Sequence, residues 1–460
     1  MKSHVDNFFV EESLNFKTFK IGGVHPPENK ISAGTPIEAV ELPKRVMIPL
    51  SQHIGAPAAP VVKKGDKVKV GTLIGEAGGF VSVNIHSSVS GTVFAVDTIK
   101  DPAGFAVKAV IIDVDEADEW EESIIRTPEL IREITATPEE IVATMKSAGI
   151  VGMGGACFPT HVKYTIPEGK KADTLIINAV ECEPYLTADH RVMLERTEEI
   201  FVGVEVMKKA LKIDTAVIGI EANKPDAIEK MTKAAANFPG TTVQPLMLKY
   251  PQGAEKQLIK AIRNREVPSG KLPLDVGCVV DNVGTALAIY EAVQKHKPLF
   301  ERVVTVTGKK LAKPANYLVR IGIPASVLIE KSGGIPEGTA KIISGGPMMG
   351  KAAVSAEFPV TKGTSGVLLL DASEAKRHEV QNCIRCAKCV AACPMGLEPF
   401  LYEKLSEKGR WDELDALNVT DCIECGCCSY TCPSARPLLD YIRLAKANVG
   451  RIRRERAAKK

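Results

Sequence analysis

The cysteines constrain this chain more than any other feature of its sequence. Three of the 12 cysteines stand alone, and the other nine fall between residues 383 and 432. Within that segment the run C-x2-C-x2-C-x3-C-P occurs twice in tandem, first from Cys383 and again from Cys422. An intracellular chain keeps its thiols reduced, so a dense group of this kind predicts metal ligation rather than disulfide bonds.

Each run has the spacing with which bacterial ferredoxins bind [4Fe–4S] clusters. Three thiolates on one tight loop bind three irons of a cube, and in two-cluster ferredoxins the fourth thiolate ligates the other cluster. The sequence therefore predicts two clusters with crossed ligands, through which single electrons pass. We assign the first cluster to Cys383, Cys386, Cys389 and Cys432, and the second to Cys393, Cys422, Cys425 and Cys428.

A pair of zinc sites is the alternative, but zinc prefers two pairs of ligands that close a tetrahedron. Two tandem sets of four that each end in Cys-Pro do not pair in this way. Cys427 is a ninth cysteine beside a ligand, and we expect a packed thiol there. Residues 397–417, between the two runs, are rich in helix formers with apolar residues at helical spacing, which predicts a helical variant of the two-cluster ferredoxin.

Length and composition limit the remaining classes. A chain of 460 residues is too long for one ordinary core, so we expect three or four domains. A formal net charge of +3 is too balanced for a dedicated nucleic-acid binder, and we expect no nucleic-acid partner. No apolar run approaches the roughly 20 residues of a bilayer span, and the acidic opening segment lacks the pattern of a signal peptide. We expect an intracellular, soluble chain that can dock on a membrane.

The pattern of apolar residues divides the chain into a multidomain α/β and α+β protein. Short β segments broken by Gly and Pro predict a β domain, alternation of helical stretches with apolar β runs predicts a parallel α/β sheet, and a small α+β unit follows. The expected divisions are an N-terminal arm (1–45), the β domain (46–118), the α/β domain (119–300), the α+β unit (301–370), the ferredoxin section (371–440) and a basic tail (441–460). The tail is either a solvated helix end or a site of attraction to anionic lipid or an acidic partner.

The β domain resembles biotinyl- and lipoyl-type barrel-sandwich domains. The resemblance lies in the phrase VKKGDKVKVGTLIGE followed by IHSSVSGTV. Carriers of that type place a lysine at an exposed hairpin, whereas the hairpin here reads His86-Ser87-Ser88-Val89-Ser90. We therefore expect a structural or docking role rather than a swinging arm.

A glycine-rich loop lies at residues 149–163. Glycine clusters let backbone N–H groups approach a phosphate, and Lys163 adds a cation, although a plain turn is the alternative. The dinucleotide fingerprint fails because Cys157 occupies the place of its third glycine. Further polar groups follow apolar β runs, where α/β sheets place ligands: Asn178, Glu181, Glu183, Tyr250, Gly253, Glu255, Asn282 and Thr285.

Together these segments resemble the flavin- and NADH-binding subunit of respiratory complex I. With GGVHPPENK, GMGGACFPTHVK, NAVECEPYLTADHR and the twin cysteine runs, nearly the whole chain resembles the RnfC family, the C subunits of Rnf complexes. These are membrane-bound ion pumps that exchange electrons between reduced ferredoxin and NAD⁺. The resemblance implies a Rossmann-like domain that binds FMN and NAD(H), followed by a soluble-ligand-binding β-grasp (SLBB-like) unit at 301–370.

The resemblance also implies roles for individual residues. The flavin is expected against Gly152, Gly154, Gly155 and Lys163, with Asn178 and Glu181 near it and Asn282 and Thr285 as further contacts. Phe158 matches the aromatic that stacks on the nicotinamide nucleotide, and Glu183, Tyr250, Gly253 and Glu255 match the rest of that pocket. No catalytic side chain is expected. The chain departs from the complex I pattern at four positions, namely Met153 (for arginine), Cys157 (for glycine), Val180 (for an acid) and Asp281 (for asparagine).

The implied function is hydride exchange with NAD(H) at FMN and relay of single electrons through the clusters. Implied partners are the membrane subunits and the ferredoxin-like B subunit of an Rnf complex, at the cytoplasmic side of a bacterial cell membrane. Three alternatives remain: a cobalamin reductase of the propanediol-utilisation type, an electron-relay adaptor with a vestigial flavin site, and the A subunit of the sodium-pumping NADH:quinone reductase. The twin cysteine runs argue against the last.

Overall fold

The computed structural model describes residues 15–458. The first 14 residues of the arm and the last two of the basic tail lie outside this range, as does most of the segment on which the absence of a signal peptide was judged. Within residues 15–458, none of the helices combines the length and the apolar composition that a membrane span requires.

The first folded unit is a sandwich of two small antiparallel sheets. Hydrophobic residues alternate along its strands, so that Val46, Ile48, Ile74 and Ile112 are buried in one core. One sheet has the order β2-β8-β7-β4 and the other the order β3-β5-β6. The strands are β1 (Ile37–Ala39, which belongs to a later sheet), β2 (Arg45–Pro49), β3 (Ala59–Pro60), β4 (Lys67–Val68), β5 (Leu73–Glu76), β6 (Ile85–His86), β7 (Gly91–Lys100) and β8 (Ala106–Val114).

The hairpin that carries the lysine in lipoyl-type carriers is buried here. His86 is 8% exposed, and the serines that follow it at 87, 88 and 90 are buried as well. Ser88 donates through its hydroxyl to the carbonyl of Ile321 (2.5 Å), and Arg320 donates to the carbonyl of Ser88 (2.6 Å). The segment is therefore a packing surface against the β-grasp unit, as expected for a sandwich without a swinging arm.

The α/β domain has a parallel four-stranded sheet of order β11-β10-β9-β12. Helices cover both faces of the sheet, so its central strands are buried on both sides. Its strands are β9 (Thr174–Ala179), β10 (Ala216–Glu221), β11 (Thr241–Leu246) and β12 (Cys278–Asn282). Its helices are α1 (Pro138–Ser147), α2 (Thr160–Tyr164), α3 (Ala188–Glu195), α4 (Thr197–Leu211), α5 (Pro225–Ala235), α6 (Glu255–Arg263) and α7 (Val283–Lys295), with a 3₁₀ turn at Pro273–Val276.

One helical prediction in this domain is half wrong. The sequence pattern of residues 127–149 predicts a helical stretch throughout, but residues 127–136 are irregular and α1 begins only at Pro138. Thr137 and Glu140 form a capping box, in which each side chain accepts from the other residue's backbone N–H, and this fixes the start of the helix. The irregular segment is held by tertiary contacts instead, such as the bond from Ile131 N–H to the hydroxyl of Tyr290 (3.1 Å).

The third unit is a six-stranded mixed sheet of order β1-β14-β13-β17-β15-β16. Strand β1 comes from the arm and pairs parallel with β14, so the arm completes this sheet. Its apolar residues share a single core with the barrel sandwich. The remaining elements are β13 (Glu301–Thr307), β14 (Ala315–Arg320), α8 (Ala325–Lys331), β15 (Thr339–Ser344), β16 (Lys351–Ala352) and β17 (Gly366–Asp371).

The cysteine-rich section is helical, as its composition predicted. The insert between the two cysteine runs forms two helices that pack, with the last helix, around Leu414, Ile442 and Val449. That last helix crosses the division that we placed between residues 440 and 441, so ferredoxin section and basic tail are continuous. The helices are α9 (Ala372–Ala375), α10 (Lys388–Ala391), α11 (Pro399–Glu407), α12 (Trp411–Ala416), α13 (Cys427–Tyr430) and α14 (Leu438–Ala458), with a 3₁₀ turn at Val419–Asp421.

Candidate functional site: two cysteine sets and a glycine-lined nucleotide site

The four cysteines of the second predicted set line one cavity. Its apolar walls include Leu397, Tyr402 and Ile442. Three of the cysteines come from the second run, whereas Cys393 comes from the end of the first run. The crossed ligand set is therefore assembled around a space with no bulky polar group in it, which fits a [4Fe–4S] cluster in an apolar shell.

The two cysteine loops share an unusual backbone. In the first loop Arg385 and Ala387 have φ of 57° and 58°, and in the second loop Glu424 and Gly426 have φ of 58° and 81°. Three of these four are not glycine, and left-handed backbone costs such residues roughly 1 kcal/mol each. The two loops therefore have the same backbone conformation at equivalent positions.

The first set is less enclosed. Cys389 and Cys432 both pack against the helical core of this section, whereas Cys386 is exposed. Across residues 15–458, no three His, Cys, Asp or Glu side chains converge closely enough to hold a single metal ion.

The glycine loop closes on itself and leaves its tip open. Gly152 N–H donates to Phe158 O (2.9 Å), and Cys157 N–H donates to Gly152 O (3.2 Å). The tip between them is exposed, and a Cβ placed on Gly155 would meet nothing within 4 Å. This open, glycine-lined cradle fits a ligand that approaches the backbone closely, such as the phosphate and ring of a flavin nucleotide.

The ends of two neighbouring strands meet this loop. Asn178 near the end of β9 donates to Gly253 O (2.7 Å), so it ties the β11–α6 loop to the sheet. Asn282 at the end of β12 caps α7 by accepting from Gly284 N–H (2.8 Å). Thr285 accepts from Met153 N–H (2.9 Å) through its hydroxyl. The structure thus brings these residues and the glycine loop to the carboxyl edge of the sheet, where α/β folds place ligands.

Lys163 lies at this edge but is already paired. Its ammonium donates to the carbonyl of Val280 (2.5 Å) and to the carboxylate of Asp281 (3.1 Å), and Glu255 lies 3.8 Å away. Tyr164 also donates to Asp281 (2.9 Å). The acid at residue 281, where the complex I pattern has asparagine, therefore holds the cation at β12 and partly neutralises it.

The predicted nucleotide-pocket acids have different surroundings. Glu181, with φ of 49°, accepts from the N–H groups of Asp189 (2.8 Å) and His190 (3.3 Å) at the start of α3. Glu183 accepts from Met348 N–H (3.1 Å) and Met349 N–H (2.8 Å) in the β-grasp unit, and burial raises its pKa to about 7. Glu181 thus caps α3, whereas Glu183 faces a domain junction.

Tyr250 joins that junction to the second cysteine set. Its hydroxyl donates to Cys425 O (2.9 Å), and the thiol of Cys427 lies 3.9 Å from Tyr250 O. Cys182 packs against the apolar group formed by these residues. Cys427 is fully buried, which agrees with the packed thiol expected from its sequence position.

Sequence reasoning missed the lysine that holds this region together. Lys30 of the arm donates to three carbonyls, those of Glu181 (2.7 Å), Glu183 (2.9 Å) and Leu186 (2.7 Å), and burial lowers its pKa to about 8. The neighbouring Gly23 N–H donates to Ala392 O (2.9 Å) beside the first cysteine run. The motif GGVHPPENK was the available signal, because it ends in this lysine, but nothing in the sequence indicated its partners.

Family models match four successive parts of the chain. The Nuo51 FMN-binding domain matches residues 145–291 and the RnfC barrel sandwich hybrid domain matches residues 17–117. The SLBB domain matches residues 303–352, and the 4Fe-4S dicluster domain matches residues 382–435. The order and the kinds of domain agree with those predicted from the sequence.

Curated relatives match along nearly the whole chain. The C subunit of the proton-translocating ferredoxin:NAD(+) oxidoreductase complex of Clostridium ljungdahlii is 48% identical over 94% of each chain. The C subunit of the Na(+)-translocating ferredoxin:NAD(+) oxidoreductase complex of Acetobacterium woodii is 47% identical over 94% of this chain and 97% of that one. An NAD+-reducing [NiFe]-hydrogenase crystal structure aligns with a TM-score of 0.46 at 19% identity, covering 67% of this chain and 62% of its own.

Proposed function

Because the chain belongs to the RnfC family, the C subunits of ion-translocating ferredoxin:NAD⁺ oxidoreductase complexes, we propose that it exchanges hydride with NAD(H) at FMN and relays single electrons through two [4Fe–4S] clusters. The family rests on 48% identity over 94% of the chain. FMN and dicluster domains occur in the same chain, at residues 145–291 and 382–435. The protein is thus an electron-transfer subunit of a membrane-associated, multi-subunit oxidoreductase.

The cofactors supply the redox chemistry when bound: a flavin converts between two-electron hydride and one-electron transfer, and each iron–sulfur cluster carries one electron. The chain's own residues hold the flavin and the clusters in place. The flavin is held by the loop of Gly152, Gly154 and Gly155 and by the strand ends at Asn178 and Asn282, and the clusters by the two crossed cysteine sets. Phe158, beside the loop, offers an aromatic face to the nicotinamide nucleotide.

One observation carries the proposal: residues of the nucleotide side touch the second cysteine set directly. Tyr250 bonds Cys425 O at 2.9 Å, and Cys182 packs against the apolar group that contains Tyr250, Cys425 and Cys427. Electron transfer between separate cofactors needs close approach without bulk water between them. This buried contact supports a relay in which the second cysteine set is the one next to the flavin domain.

The first cysteine set supports a partner on the outer side. Residues 376–388 are exposed almost throughout, and they carry Lys376, Arg377, Arg385 and Lys388 against the single acid Glu379. Ile384 lies within this basic stretch and is 67% exposed. A basic surface with an exposed apolar residue at a cluster loop suits an acidic electron-transfer protein. The proposed partner is the ferredoxin-like B subunit, with membrane subunits beyond it, on the cytoplasmic side of the bacterial cell membrane.

The alternatives are weaker on specific grounds. The curated relatives named above belong to ferredoxin:NAD(+) oxidoreductase complexes, which disfavours a cobalamin reductase. The match to a dicluster domain disfavours the A subunit of the sodium-pumping NADH:quinone reductase. The open cradle at Gly155 disfavours a vestigial flavin site, because side chains have not filled it.

The test is the cofactor content and reducibility of the anaerobically purified protein. We expect about eight irons and one FMN per chain, with flavin and clusters both bleached on addition of NADH. Protein that holds iron but neither binds FMN nor reacts with NADH would establish the relay adaptor instead. Reduction of cob(III)alamin by NADH at a rate above that of ferredoxin-type acceptors would establish the cobalamin reductase.

A further inference from the structure

Arg302, in the first strand of the β-grasp unit, is a buried cation beside the glycine loop. It is 4% exposed and forms no ion pair in residues 15–458, although the carboxylate of Asp189 is close enough to attract it electrostatically. Its guanidinium donates only to carbonyls: Met153 O at 3.3 and 3.4 Å, Val303 O at 3.2 Å, and Lys362 O. Burying a charge without a direct ion pair is costly, so a role beyond filling space is expected.

One of its partners is a peptide of the glycine loop. Met153 N–H is bound by the hydroxyl of Thr285 (2.9 Å), and Met153 O is bound by Arg302. A planar trans peptide directs its C=O and its N–H in opposite directions. Because Arg302 draws Met153 O toward the β-grasp unit, the N–H of Gly154 in the same peptide is turned to the other side.

That other side is the open face of the loop. In the part of the chain that the structure describes, the N–H groups of Gly154, Gly155 and Ala156 have no acceptor. All three residues are exposed, and a Cβ on Gly155 would meet nothing within 4 Å. Successive N–H groups without partners form a concavity suited to an anionic or electron-rich group.

We infer that Arg302 is a positioning residue of the flavin site, which locks the Met153–Gly154 peptide so that its N–H faces the flavin nucleotide. It also brings positive charge to the loop from another domain, at the point where the complex I pattern carries an arginine and this chain has Met153. The inference rests on the proposed function, since it concerns the same FMN site. It makes flavin binding depend on the docking of the β-grasp unit.

The test is titration of FMN into the flavin-depleted full-length protein, followed by quenching of flavin fluorescence. Arg302→Met removes both the fork and the charge, and we expect binding about tenfold to hundredfold weaker. Arg302→Lys keeps the charge but not the planar fork, and we expect a smaller loss of several-fold. The midpoint potential of the bound flavin falls in Arg302→Met, because positive charge near a flavin stabilises its reduced form, and it stays near the wild-type value in Arg302→Lys.

Arg320→Lys is the matched control. Arg320 lies in the adjacent strand, is partly buried, and bonds Ser88 O (2.6 Å) and Glu301 (3.0 Å) away from the loop. We expect this variant to bind FMN as the wild type does, with unchanged iron content. Wild-type affinity in Arg302→Lys overturns the inference, even if Arg302→Met does not fold. Failure of the wild type itself to bind FMN overturns the proposed function instead.

Discussion

The two cysteine loops have the same spacing and the same backbone, yet one faces solvent and the other faces the rest of the protein. Ile384 and Arg385 follow Cys383 and are exposed, whereas the equivalent Ile423 and Glu424 follow Cys422 and are half-buried. Glu424 is bound by Arg443 (3.0 Å) and Lys446 (2.5 Å) of α14. The motif alone thus specifies a ligand loop, and its neighbours decide whether the loop serves the interior or a partner.

This difference indicates that electrons enter or leave the flavin domain through the inward loop and reach a partner through the outward loop. The inward loop touches Tyr250 of the flavin domain, whereas within residues 15–458 no hydrogen bond joins residues 383–389 to that domain. The first run reaches it only at its end, where Gln257 donates to Pro394 O (3.1 Å). The basic tail fits the same picture: in α14, Arg453 and Arg456 pair with Asp415 and Asp412 of the same section. These pairs neutralise much of the tail's charge within the molecule. On the outward side Arg377 pairs with Asp440 (3.1 Å), while Arg385 and Lys388 form no ion pair within residues 15–458.

The strongest test of the comparison is removal of one ligand from each loop. Cys425→Ser and Cys386→Ser should each lower the iron content, toward about four per chain if one cluster survives. We expect Cys425→Ser to abolish reduction of the remaining cluster by NADH, because the inward set lies between flavin domain and outward set. In Cys386→Ser, NADH should still reduce the remaining cluster. Anaerobic EPR after NADH addition distinguishes the two, and equal behaviour of the variants would break the comparison.

A smaller effect is expected from a change of charge at the equivalent position of each loop. Arg385→Glu should slow association with an acidic ferredoxin-type partner about tenfold at low ionic strength, with the difference fading as salt is added. Glu424→Gln should leave the association rate unchanged and weaken the packing of α14 instead. Stopped-flow kinetics over a salt series measures the first effect, and thermal unfolding measures the second.

The isoleucines at equivalent positions of the two loops should differ in their contribution to the free energy of unfolding. Ile423→Ala should lower the free energy of unfolding by about 1–2 kcal/mol, because this side chain packs against the Tyr250–Cys427 group. Ile384→Ala should change it by less than about 0.5 kcal/mol, because the side chain is 67% exposed. Urea unfolding of the cluster-loaded variants measures both. Equal losses would mean that the outward loop is packed as tightly as the inward one.

The smallest expected effect is a pH dependence of stability that comes from Glu183, on the inward side. Burial raises the pKa of Glu183 to about 7 from its ordinary value of 4.5. A raised pKa means that the folded state binds the proton more tightly, so the stability from this group is complete below about pH 4.5 and is lost as the pH rises through about 7. Glu183→Gln should remove this part of the pH dependence of the melting temperature. An unchanged pH profile would contradict the burial of this carboxyl.

Much of the site could be predicted because ligand chemistry requires particular residues at particular spacings. Two runs of cysteines were sufficient to predict crossed ligand sets, and the structure gathers Cys393 with the second run around one cavity. The glycine loop was recognisable for the same reason, since close approach of backbone to ligand excludes side chains. Residue roles at Lys163, Glu183 and Tyr250 were less accessible, because their partners Asp281, Met348 and Cys425 are distant in sequence.

Local sequence therefore determined which cofactors this chain can bind and in what order its domains follow, because spacing, glycine content and hydrophobic period act over a few residues. Tertiary structure alone decided which cysteine loop meets the flavin domain, that Lys30 of the arm ties three carbonyls, and that Arg302 reaches the glycine loop from another domain. Burial and hydrogen bonding between segments more than a hundred residues apart depend on how the domains pack, and a local pattern carries no record of that packing.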